Sequence, residues 1–150
     1  MANPVCEVLL TDRPLAAPSD ATGDETGAVV DFWGVVRGTE NGAPISGIEY
    51  EAHREMAEQQ LLALAREAMT QFGLSSISLR HRIGFVPVGE ASLLLRVASG
   101  HRAEAFRAAQ WTVDELKKRV PIWKRPTRDE VLADSGDAGH DPAASTFHAP

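Results

Sequence analysis

Apolar positions along this chain repeat with two different periods, and the changes of period divide it into elements. Val5-Cys6-Glu7-Val8-Leu9-Leu10 reads as an N-terminal strand, and residues 11–27, rich in Pro, Gly, Ser and Asp, as a loop. Ala28 to Val36 is nearly continuously apolar and rich in β-branched residues, the pattern of a strand buried on both faces. Asn41-Gly42 marks a tight turn. From Ser46 to Ala52 the chain returns as a strand, Ile48 and Tyr50 alternating with Glu49 and Glu51, so that the two acids read as a wet face.

The period then lengthens. Ala57, Leu61, Leu64, Ala65, Ala68 and Phe72 recur at three and four, which predicts a helix from about Arg54 to Phe72, ended by Gly73. Ser76–Ile83 and Ser92–Ala98, joined by the connection GFVPVGE, predict two paired strands. Phe106, Ala109, Val113, Leu116 and Val120 predict a second helix whose stripe packs on the sheet, ended or kinked by Pro121. Residues 1–134 are expected to form one domain, and 135–150, with little to bury, a disordered tail. Turn-joined strands rather than strict β-α-β alternation predict an α+β fold with a mixed, largely antiparallel sheet and two main helices.

Composition narrows the chemistry. The chain has 150 residues and a net charge of −6, enough for one domain with a hydrophobic core. The distribution of charge says more than its total. Residues 101–128 hold eight bases against three acids, and the residues beyond hold five acids and no Lys or Arg. A local positive surplus inside an acidic protein points to an anionic ligand held at one place rather than to nucleic acid. No apolar run is long enough to span a bilayer, and MANPVCEVLLTDRP lacks the features of a signal peptide, so a cytoplasmic protein with no membrane role is expected. The single cysteine, Cys6, rules out an internal disulfide and reads as a small strand residue. No nucleotide-binding glycine motif is present, and the five histidines show no metal-ligand spacing. Neither metal nor cofactor is expected.

Three positive sites remain. Arg37 stands where the apolar strand meets a glycine-bearing turn; alone, it reads as a surface arginine. Ser99-Gly100-His101-Arg102 opens the second helix, where exposed N–H groups attract anions but a cation is locally unfavourable. That misfit favours function over packing. The third is the run Leu116 to Arg125, in which Pro121 breaks the helix and lets Lys124 turn back toward Lys117, with Ile122 and Trp123 anchoring the turn by burial. A solvated basic helix end accounts for Lys117, Lys118 and Arg119, but not for two further cations after Pro121-Ile122-Trp123.

In order and with compatible spacing, FWGVVRG, IEYEAHREMAE, HRIGFVPVGE, VASGHRAEAF and DELKKRVPIWKR resemble the molybdopterin synthase large-subunit family over about residues 27–125. The resemblance implies an α/β hammerhead fold and a heterotetramer, a homodimer of large subunits each receiving a small ubiquitin-like subunit. The partner's Gly-Gly C-terminus, as a thiocarboxylate, would deliver sulfur to cyclic pyranopterin monophosphate and build the dithiolene of molybdopterin. A sulfur source on the partner fits a chain with one ordinary cysteine. Carried over by the resemblance, Lys117 and Lys124 are the catalytic candidates. Val35, Val36, Arg37, His101, Arg102, Lys117, Lys124, Arg125 and Pro126 are the substrate-binding ones. His53 departs from the family's usual Tyr, and no Trp follows Trp123. Two rivals stand beside this reading: a non-catalytic module that only docks the partner, and a sulfurtransferase using Cys6 itself.

Overall fold

The computed structural model describes residues 5–19 and 23–128; the segment expected to be a disordered tail lies outside them. The chain runs β1 (Val5–Thr11), β2 (Ala28–Val35), β3 (Thr39–Glu40), β4 (Ala43–Ala52), α1 (Arg54–Phe72), β5 (Ser76–Arg82), β6 (Gly84–Pro87), β7 (Ala91–Ser99), α2 (Arg102–Arg119) and β8 (Ile122–Arg128). The α+β class, the two main helices and the mixed, largely antiparallel pairing agree with the sequence reading. Only β1–β5 is parallel among the described pairs.

The strands divide between two sheets, ordered β1-β5-β7-β2 and β3-β4-β6, with β8 also pairing β4. Three short or irregular strands were not foreseen: β3, β6 and β8. The chain after Arg37 does not return to pair with β2; β4 builds the second sheet instead. Two residues of β3, turning through Asn41 (φ 52°) and Gly42 (φ 78°), start that sheet. Both positions sit in the left-handed region that two-residue hairpin turns demand.

Helix α1 has the bounds its apolar period predicts. It buries Ala57, Leu61, Leu64, Ala65 and Ala68, and Gly73 closes it in the left-handed conformation with its N–H donated to the Met69 carbonyl. His53 is the N-cap; its Nδ1 accepts the Met56 N–H at 3.3 Å. That capping gives a local use for the histidine that departs from the family pattern.

Two burial expectations fail, each for a topological reason. The strand buried along nearly its whole length is β7, in the middle of its sheet. β2 lies at the edge and leaves Val29, Phe32, Trp33 and Val35 exposed. In α2 the buried face is Ala105, Ala108, Ala109, Thr112, Val113 and Leu116, and Phe106 is 62% exposed. Small residues let this helix lie close to α1 and to the sheet, so its stripe is rotated away from Phe106.

The two-residue link from β7 to α2 makes the helix double back across β7 and β2. Its start is pinned: Gly27 donates its N–H to the Ser99 carbonyl at 2.9 Å, and a Cβ on Gly27 would overlap the Gly100 carbonyl. At the other side of the core, His81 is fully buried, edge-on to Tyr50 with ring centroids 5.3 Å apart. Its Nδ1 lies 2.7 Å from the Arg82 carbonyl. Burial lowers its pKa to about 4, the backbone contact opposing.

Because folded His81 stays neutral where the unfolded chain is protonated, stability from this residue is complete above about pH 6.5 and is lost as pH falls toward 4. Roughly 2–3 kcal/mol should be gone by pH 4.5. Urea melts of wild type and His81→Phe at pH 7.5 and 4.5 check this: the variant should lose that much less on acidification, and equal losses in both would refute the assignment.

Candidate functional site

The second sheet decides what Lys124 can do. In the β4–β8 ladder Lys124 lies opposite Tyr50, Trp123 opposite Glu51 and Arg125 opposite Glu49. Side chains alternate along a strand, so Ile122, Lys124 and Pro126 face inward while Trp123 and Arg125 face out. Lys124 is 8% exposed, and its Nζ sits 3.2 Å from Oε1 of Glu40. The other oxygen of that carboxylate is 3.9 Å from Nη2 of Arg37, whose side chain is 80% exposed. Glu40 thus joins Arg37 and Lys124, two cations far apart in sequence. Burial raises the pKa of the neighbouring Tyr50 phenol, with Glu40 pushing the same way and a hydrogen bond with Ser92 opposing.

Glu40 is absent from the sequence-derived candidates. Its one cue was an acid preceding Asn41-Gly42, which reads as an ordinary solvated turn residue. Burial changes its meaning. An exposed ion pair contributes about 0–1 kcal/mol, whereas one partner left alone after losing the other inside the fold costs about 3–5 kcal/mol.

The remaining cations ride on α2. His101 is its N-cap, in extended backbone with no capping side chain, and Ser99 Oγ donates to the His101 carbonyl at 2.5 Å. His101 and Arg102 are exposed at the positive end of the helix, and Lys117 is exposed in its last turn. Lys118 and Arg119 pair with Glu115, and Arg119 also with Glu67; among the described residues no carboxylate forms an ion pair with Lys117. A helix rises 1.5 Å per residue, so Arg102 and Lys117 stand about 22 Å apart along the axis. Because α2 runs back along β7, its C-terminal turn lies toward the Ala91–Val35 end of the sheet, and its N-terminus beside Ser99 and Ala28.

The predicted cations therefore fall into two groups within one chain. Arg37, Lys117 and Lys124 belong to the end where β2 finishes, and His101 with Arg102 to the end where it begins. Arg125 joins neither: it points away from Lys124 and pairs with Glu51 at 3.2 Å on the outer face. Pro126 faces inward opposite Ile48. Val36 is buried, with its N–H donated to Glu90 and its carbonyl accepting from Gly89, so its backbone is already used. Val35 is exposed and lines a cavity of about 300 Å³ together with Trp33, Arg82 and Glu90. Trp123, expected to anchor the turn by burial, is 42% exposed, and Ile122 alone is buried there.

Cys6 is half-buried, and burial pushes its thiol pKa up, with Arg66 opposing. A thiol held protonated is a poor nucleophile, which weighs against a sulfurtransferase built on Cys6. Among the described residues no group of three or more His, Cys, Asp or Glu is placed to hold a metal ion, and no helix is long and apolar enough to cross a membrane.

Since the Arg125–Glu51 pair is more than half exposed on both sides, Arg125→Ala should change stability by less than about 1 kcal/mol. A thermal melt measures it, and a larger loss would mean that Arg125 holds the β4–β8 ladder together.

Comparison with known proteins gives one family. Residues 10–119 match the family model described as MoaE protein. A protein of Thermoplasma volcanium named molybdopterin synthase catalytic subunit is 38% identical over 141 residues, covering 93% of this chain and 100% of that one. One of Emericella nidulans with the same name is 38% identical over 126 residues, covering 84% of this chain; the match spans 63% of that longer protein. Among solved structures, molybdopterin synthase from Staphylococcus aureus superposes with a TM-score of 0.75 at 31% identity, covering 81% of this chain and 90% of the other. A complex of subunits 1 and 2 of molybdopterin-converting factor from Helicobacter pylori shares the fold (TM-score 0.61, 19% identity, 81% of this chain and 83% of that one).

Proposed function

The chain belongs to the MoaE protein family, and from that membership we propose that it is a molybdopterin synthase catalytic subunit. It transfers sulfur from the thiocarboxylated Gly-Gly C-terminus of a small ubiquitin-like partner to cyclic pyranopterin monophosphate, in the cytoplasm. The observation that carries the site is the sorting of the family-matched cations to opposite ends of β2 and α2.

Two half-sites some 22 Å apart do not grip one phosphorylated pterin. A two-fold axis resolves this. Among the described residues β2 is a sheet edge with no strand on its outer side, and it exposes Val29, Phe32, Trp33 and Val35, features of an interface rather than of a solvated strand. An isologous contact that covers β2 of each copy runs the two strands antiparallel. The start of one β2, with His101 and Arg102, then lies beside the end of the other, with Arg37, Lys117 and Lys124. Each dimer holds two composite sites, and each site takes one small subunit, which gives the heterotetramer.

Roles follow from exposure and charge. His101, Arg102 and Arg37, all exposed, bind the substrate phosphate and pterin, the first two aided by the N–H groups at the start of α2. Lys117 is exposed and forms no ion pair among the described residues; it faces the thiocarboxylate and stabilises developing negative charge or moves a proton. Lys124, paired with Glu40 inside the fold, orients the substrate. Val35 supplies pocket wall. The full cation set favours catalysis over a module that merely docks the partner.

Lys117→Ala should lower product formation with thiocarboxylated partner by about 10²–10³-fold while leaving the heteromer intact by gel filtration; near-normal turnover would remove Lys117 from the mechanism. Arg102→Ala and Lys117→Ala should complement each other. Refolded together, they form mixed dimers in which one of two sites is intact, restoring about a quarter of wild-type activity at random pairing. No recovery in verified mixed dimers would place each site within one chain.

A further inference from the structure

We propose that Glu40 is a positioning residue for Lys124: from the β3–β4 hairpin its carboxylate pairs with the Lys124 ammonium inside the fold and fixes it in place for sulfur transfer. The inference rests on the reading that Lys124 acts in that reaction, and it adds a residue to the machinery that no family-matched motif contains.

Burial drives a lysine toward its neutral form unless a counter-charge is close. Here the two side chains are equally sequestered, each 9% exposed, with Nζ and Oε1 3.2 Å apart. Neither charge is at ease alone in that setting, so each sustains the other.

The mounting is stiff. β3 is two residues long, Glu40 is paired with Ala43 across it, and the Asn41–Gly42 turn closes the hairpin directly after the acid. Lys124 is held from the other side by its ladder position opposite Tyr50. Glu40 also divides its oxygens: Oε1 faces Lys124, and Oε2 faces Arg37 at 3.9 Å. An anion that draws the exposed Arg37 away leaves the Lys124 contact in place, so substrate binding and the holding of Lys124 are separable at one carboxylate. Titratable groups near Lys124 among the described residues include the Tyr50 phenol, within reach of the Glu40 charge, and behind it the neutral ring of His81. The Glu51–Arg125 pair lies on the opposite face of the ladder.

The test is Glu40→Gln in the full chain, with two readouts. Hydrogen exchange of the Lys124 side-chain amine, its NMR signal identified by Lys124→Arg, reports how firmly the ammonium is held, and its protection should fall by about tenfold when the paired carboxylate is removed. The sulfur-transfer assay with thiocarboxylated partner should show kcat falling by about tenfold or more while KM for the pterin stays within about threefold, the split expected of a group that positions rather than binds. Glu40→Asp, which withdraws the carboxylate by one methylene, should give a smaller loss of both and serves if Glu40→Gln does not fold.

Unchanged protection of the Lys124 amine overturns the proposal whatever the activity. Lost protection with an unchanged kcat overturns it too, by showing a structural pair that catalysis does not use. Failure of the wild-type protein to make product from thiocarboxylated partner is a separate result: it removes the sulfur-transfer reading, and with it the positioning role.

Discussion

A helix that cannot bend governs how this protein arranges its charges. α2 is anchored just before its first turn, where a Cβ on Gly27 would overlap the Gly100 carbonyl, and it runs 18 residues without a break. At 1.5 Å per residue that is about 27 Å, close to the length of the eight-residue β2 beneath it. Cations at its two ends are held apart by a fixed ruler. Packing against α1, β7 and β2 holds it at that length, so within one chain His101 and Arg102 stay about 22 Å from Lys117 along the axis. In the dimer proposed above, the exposed edge at β2 is the place for a second copy.

The cations also differ in what they cost the fold. Lys117 sits at a helix C-terminus, where the backbone dipole favours a positive charge; Arg102 sits at an N-terminus, where it does not. That penalty is below about 1 kcal/mol at an exposed position, and a bound anion reverses its sign. Lys124 is another case, since an inward-facing ammonium requires a partner in the folded state itself. Glu40 supplies one and ties Arg37 to the same carboxylate. The exposed cations are available to ligand, and the buried one is set in advance.

Much of the architecture was legible in the order of residues. The bounds of α1, its glycine C-cap, the pairing of β5 with β7 and the end of α2 before Pro121 all follow from local periodicity and from residues whose backbone freedom is unusual. Where local pattern misled, the neighbours were at fault. Ala28–Val36 looks like a strand buried on both faces because its composition is apolar throughout, yet composition does not distinguish a central strand from an edge awaiting a partner. β3, β6 and β8 are too short or too irregular to show alternation of their own, and they exist because β4 offers them a ladder. Phe106 fits the helical period as well as Ala105 does; only the close approach of α1 and the sheet selects the smaller residue.

The candidate site divides along the same line. Sequence by itself determined the family resemblance, the cations at 37, 101, 102, 117 and 124, and the presence of a single cysteine, Cys6, because these are matters of residue identity and spacing. Tertiary structure alone decided that Arg125 turns outward while Lys124 turns in, that Glu40 lies between Lys124 and Arg37, and that the cations form two groups rather than one. Those outcomes depend on strand register, on a turn that brings residue 40 against residue 124, and on the length of a rigid helix. Such long-range geometry is imposed by packing, and no local pattern of residues encodes it.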